Sequence, residues 1–177
     1  GRYHVKTIVG TEVSRRLGTD RINSFADLAQ ATQYLYRSAV ERFDGIVTDK
    51  DGKPLAVVGG FKGAIDSASV PIAPVIAEAV RVRGAANIWL SHNHPSGLSE
   101  LSSADRNLHR AFEDAFAGSG IEVRGLIAVG RGEYGATDNT NGRVPAEGNT
   151  VRVPVIEREQ VGEPLAVPIE SPAAARA

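Results

Sequence analysis

The 177-residue chain contains no cysteine and no methionine. Without cysteine there is no disulfide framework, no thiol nucleophile and no thiolate-bound metal, which leaves His, Asp and Glu as the strong metal ligands available. That composition, with no signal-like leader, predicts a cytoplasmic protein. The lack of methionine, residue 1 included, predicts a processed or excised piece of a larger polypeptide. Excess charge of either sign is missing too. Lys and Arg number 20 against 21 Asp and Glu, a net charge of -1, so no overall positive field exists to hold a nucleic-acid backbone or an anionic membrane. No apolar run comes near the roughly 18 residues of a spanning helix, which predicts no membrane anchor.

What is present is 42% hydrophobic residues, enough for one core plus a tail in a chain of ordinary domain size. Residues 4–9 read as a short strand, and Asn23-Ser24 as the cap of a helix over 25–39, where Phe25, Leu28, Thr32, Leu35 and Ala39 share a stripe. Two β-prone runs, 42–48 and 54–60, flank Asp49-Lys50-Asp51-Gly52 and predict a hairpin. Pro71 and Pro74 mark the start of a helix that keeps its period until Gly84. Residues 87–92 read as a mostly buried strand that Pro95 must end, since proline has no N–H to give a sheet. A helix from about Ser103, capped by Ser102 or Ser103, carries Leu108, Ala111, Phe112, Ala115 and Phe116 on one stripe, and 121–129 reads as the last strand. The division that follows is an extension over 1–22, a domain over 23–138, and a linker or disordered tail over 139–177 in which 151–156 has room for an edge strand. Strands and helices alternate irregularly, which places the chain in the α/β class, of α+β type.

Residues 91–105 read SHNHPSGLSELSSAD. Residues two apart on a strand point to the same side, so His92 and His94 can present both imidazoles to one point. Asp105 falls in the first turn of the next helix, and the loop from Pro95 to Leu101 is long enough to fold that turn back over the strand tip. Two nitrogens and one carboxylate leave one tetrahedral position open for water, the arrangement of a catalytic rather than a structural zinc. Such chemistry needs a base for the water proton and a donor for the oxyanion. Ser102 is placed for the second task. For the first, Glu41 at the head of the hairpin is the leading carboxylate, with Glu78 and Glu100 behind it. His109, four residues after Asp105, shares its helix face and is a candidate supporting partner, whereas Arg81, Arg83 and Arg124 read as scattered surface charge.

His92-Asn93-His94-Pro95-Ser96-Gly97, with Ser102 and Ala104-Asp105, resembles the JAMM signature of the JAB/MPN zinc metalloenzymes in its RadC-like bacterial form, a likeness that extends over 24–134. Glu41-Arg42-Phe43 followed by Val47-Thr48-Asp49 is similar to the Glu-x-Phe that heads the family's hairpin. The resemblance implies a curved mixed β-sheet flanked by helices. It implies one zinc ion per chain on His92, His94 and Asp105, Glu41 as general base and Ser102 as oxyanion stabiliser. The implied activity is hydrolysis of an amide or isopeptide bond in a protein or peptide, such as a ubiquitin-like tail. Two other roles attach to such proteins: DNA-repair-associated or nucleic-acid processing, which the balanced charge does not favour, and a non-catalytic MPN-type interaction module, which generally lacks the ligand set kept here. The chain departs from RadC-like habit at Leu101, at Pro71-Ile72-Ala73 and at Arg124-Gly125. A cytidine-deaminase-like site is excluded, since its Pro-Cys-x-x-Cys needs cysteine.

Overall fold

The computed structural model describes residues 3–8, 14–63 and 70–162. In chain order the elements are β1 (Tyr3–Ile8), β2 (Ser14–Leu17), α1 (Phe25–Ala31), a 3-10 turn (Gln33–Arg37), β3 (Arg42–Thr48), β4 (Pro54–Lys62), α2 (Ile72–Ala79), β5 (Asn87–Asn93), α3 (Ser103–Phe116), β6 (Glu122–Val129), β7 (Glu133–Ala136), β8 (Asn141–Arg143) and β9 (Val151–Gly162). The strands form one mixed sheet in the order β1-β9-β4-β3-β5-β6-β7-β8, with β2 also paired to β9. The architecture is thus α/β, a mixed sheet flanked by helices. Among the described residues no helix is long and apolar enough to cross a membrane.

Strand β5 is the centre of this arrangement. It runs antiparallel to β3 and parallel to β6, and each of its seven residues is buried. Parallel neighbours need a crossover, and α3 supplies it, which brings the start of α3 back to the tip of β5. Because β5 is covered on both sides, the fold has a core on each face of the sheet rather than the single core expected. One face packs Ile46, Trp89 and Ile127 with Leu17, Ile22 and α1. The other packs Phe43, Ile88, Leu90 and Leu126 under α2 and α3, where Phe43 and Phe112 stack with ring centroids 5.5 Å apart.

Three expectations are corrected. The helix over 25–39 stops at Ala31, because the Thr32 hydroxyl donates back to the Leu28 carbonyl at 2.8 Å and also meets the Ser91 hydroxyl at 2.8 Å, and the chain tightens into the 3-10 turn. Helix α2 ends at Ala79, with Arg81 and Val82 N–H groups turning back to the Glu78 and Ala79 carbonyls. Within the expected extension over 1–22, residues 3–8 form β1, residues 14–17 form β2, and Leu17 and Ile22 are fully buried. The stretch from 139 is no linker as far as 162, since it forms β8 and then β9, which lies between β1 and β4. The signal there was only Val151, Val153 and Val155 at alternate positions, with Pro154 among them; Val153 and Val155 are buried. Pro154 sits at the end of the β2 pairing, across from Ser14, and one residue before β9 meets β4 at Val155. The part of the tail expectation that covers 163–177 lies outside the described residues.

Candidate metal centre

Residues 88, 90 and 92 of β5 face α3, and 89, 91 and 93 face α1, so the period of the strand decides which groups meet. His92 is fully buried. Its Nδ1 lies 3.0 Å from the Ile127 carbonyl and its Nε2 2.8 Å from Asp105 Oδ1. His94 lies one step past the strand end, tied by its own N–H to the Val129 carbonyl at 3.2 Å. Its Nδ1 lies 3.0 Å from the Leu98 carbonyl and its Nε2 3.2 Å from Asp105 Oδ2. The two rings meet edge to face with centroids 4.8 Å apart.

Asp105 reaches this point because Ser102 caps α3. The Ser102 hydroxyl accepts the Asp105 N–H at 3.1 Å, while Asp105 Oδ2 accepts the Ser102 N–H at 2.8 Å, a reciprocal box that fixes the carboxylate. The loop before it is pinned by Gly97, at φ +90°, whose N–H donates to the His94 carbonyl at 2.8 Å. That loop lies so close to the β6–β7 turn that a Cβ on Gly130 or Gly135 would collide with the carbonyls of Gly97 or Ser99. Glycine there is a packing requirement.

The hydrogen-bonding partners of these groups constrain their protons. A backbone carbonyl only accepts, so each Nδ1 carries its proton, and each neutral ring then offers a lone pair at Nε2. Both lone pairs face a carboxylate, which also accepts. Either both rings take an additional proton or a cation stands among the three groups. His92, His94 and Asp105 place their ligand atoms within 4.8 Å of one another and can hold a metal ion. Electrostatics agree. Burial pushes the Asp105 carboxyl up, but hydrogen bonds to His92 and His94 outweigh it and hold the group well below the usual carboxylate range. His94 is raised, first by its hydrogen bond to Asp105.

The other candidates land as follows. The β3–β5 register ends at Phe43 across from His92, which leaves Glu41 two residues before that pair and His94 two residues after it. The charge of the half-buried Glu41 accordingly raises His94. Ser102 caps the helix and keeps its own O–H free of that bond. Glu78 is buried on α2, and Glu100 lies in the exposed part of the motif loop. Glu100, Leu101, Arg106, Glu133 and Arg143 line a cleft of about 620 Å³ beside β7 and β8 that none of His92, His94, Asp105 or Glu41 lines. His109 Nε2 lies 3.6 Å from Glu113, away from the ligand cluster. Arg124 stacks on the Trp89 ring at 4.9 Å, on the opposite face of the sheet. Groups that sequence reasoning missed are the Ile127 and Leu98 carbonyls, which no side-chain pattern announces, and Asn93.

The sequence family described as "RadC-like JAB domain" matches residues 22–141. Similar curated proteins carry the name "UPF0758 protein". One from Stutzerimonas stutzeri (strain A1501) is 40% identical over 93 residues, 52% of this chain and 41% of the relative. Another, from Shewanella denitrificans, is 31% identical over 126 residues, 67% and 56% of the two chains. A third, from Vibrio cholerae serotype O1, is 34% identical over 115 residues, 63% and 72%. The chain thus spans about 41% of the length of the first of these relatives.

Proposed function

The chain belongs to the RadC-like JAB domain family, and from that premise we propose that it is a zinc-dependent metallopeptidase or isopeptidase. The observation that carries the reading is the meeting of two proton-fixed imidazoles and one capped carboxylate, acceptors facing acceptors, at a single point. Two nitrogens and one oxygen suit zinc better than magnesium or calcium, which prefer all-oxygen sets. When bound, zinc supplies Lewis acidity, lowering the pKa of a water and polarising a carbonyl.

The remaining work falls to the chain. Glu41, beside His94, takes the proton of the attacking water and returns it to the departing amine. Ser102 accepts one N–H through a lone pair, so its hydroxyl hydrogen stays available for the oxyanion of the tetrahedral state. His92 and His94 keep fixed tautomers because Ile127 and Leu98 hold their Nδ1 protons. The substrate is a protein or peptide carrying an amide or lysine isopeptide bond, with an extended ubiquitin-like tail as one form of it.

A cleavage screen on peptide and lysine-isopeptide substrates, with and without chelator, tests the reading. Zinc-dependent hydrolysis is expected. Glu41→Gln should retain zinc and lose turnover by about 10²–10⁴-fold, the usual worth of a positioned base. Chelator-insensitive turnover, or a fully active Glu41→Gln, would contradict it.

A further inference from the structure

Between the two histidines stands a residue that the chemistry above does not use. We propose that Asn93 is a positioning residue that holds Glu41 in register with the metal ligands; this rests on the reading of Glu41 as the proton acceptor. Asn93 is fully buried at the last position of β5, on the face away from the ligands. All three of its side-chain hydrogen bonds go to one short segment. Its Oδ1 accepts the Arg42 N–H at 2.6 Å, and its Nδ2 donates to the Ser38 carbonyl at 3.3 Å and the Val40 carbonyl at 3.1 Å.

The part of that segment before β3, 38–41, belongs to no helix or strand, and Val40 is 49% exposed, so apolar packing does little to anchor it. The Glu41 carbonyl accepts the Gly63 N–H at 3.0 Å. Serving one donor and two acceptors together at this reach takes a short primary amide. Aspartate cannot donate, alanine does neither, and serine has a single hydrogen. Asn93 shares one rigid backbone stretch with His92 and His94, so the clamp couples the base to the ligands directly. A displacement near 1 Å at a reacting group costs about 10²-fold in rate.

The test uses the zinc-loaded chain and a fluorogenic Gly-Gly isopeptide of lysine. Asn93→Ala and the near-isosteric Asn93→Asp are expected to bind zinc as tightly as the parent and keep KM, while kcat falls by about 10²-fold. Backbone amide exchange at 40–42 should accelerate in both. Combined with Glu41→Gln, the Asn93→Ala loss should vanish, because a residue that acts through Glu41 has nothing left to position. An unchanged kcat, or losses that multiply in the double variant, would overturn the clamp. If Glu41→Gln alone stays fully active, the base assignment fails, whereas exchange at 40–42 still reports on the clamp. Should the variants not fold, the parent protein suffices: Arg42 N–H must exchange as slowly as the buried Ile46 N–H of β3, and loop-like exchange there would refute the proposal.

Discussion

The two faces of β5 are built from adjacent residues and do different work. Toward α3 the strand presents Ile88, Leu90 and then His92, so a hydrophobic floor ends abruptly in a residue that can ligate a metal. Toward α1 it presents Trp89, Ser91 and Asn93, each engaged with its surroundings: Trp89 against Phe25 and Arg124, Ser91 with Thr32, and Asn93 with the segment before β3. Beside them lies another polar cluster, in which the half-buried Tyr34 hydroxyl donates to the fully buried Asp44 at 2.5 Å and Arg42 stands 3.6 Å from the same oxygen. One face can hold an ion and the other is tied to the surrounding chain. The difference teaches that polar residues on the opposite face of a strand tip tie down the chain around the candidate site.

Substitutions can break this division or sharpen it. The largest effect belongs to the binding face: His92→Ala should weaken zinc binding by more than the ~10–100-fold typical of losing an outer hydrogen-bond partner, measured by competition with a chromophoric chelator. Tyr34→Phe should do the reverse, leaving zinc affinity intact and lowering stability by about 2 kcal/mol in denaturant titration, because the buried Asp44 carboxylate loses a short hydrogen bond. The same pair gives a pH signature. Burial first, and then the charge of Asp44, raise the Tyr34 hydroxyl well above its ordinary value. The folded state therefore keeps a proton that the unfolded chain gives up near pH 10, so this contribution is whole below about pH 10 and is lost as pH rises through the folded pKa. Stability of the parent should fall with rising pH there more steeply than that of Tyr34→Phe. Smallest is Ser91→Ala, about 1 kcal/mol with zinc affinity unchanged, since Thr32 keeps its bond to the Leu28 carbonyl. If Tyr34→Phe or Ser91→Ala released the metal instead, the two faces would not be separable.

How much was legible follows the same line. The central elements were readable because each carries a strong local signal: turn residues around Gly52, the apolar stripe of α3, and the proline that ends β5. The convergence of His92, His94 and Asp105 was readable because strand period and helix start fix it with few alternatives. What escaped depends on distant partners. Thr32 ends α1 through Ser91, a contact 59 residues away in sequence that no window contains. Strand β9 has a short alternating pattern interrupted by Pro154, and its place beside β4 follows from pairing rather than propensity. Asn93 looked like a spacer between histidines, since its role appears only once the segment before β3 is set across from it.

The most direct test of the account is a crystal of the zinc-loaded chain with an anomalous map at the metal edge. One ion is expected, bound by His92 Nε2, His94 Nε2 and the Asp105 carboxylate. A well-ordered crystal grown in ample zinc that shows those three side chains turned apart, with no anomalous peak among them, would contradict it.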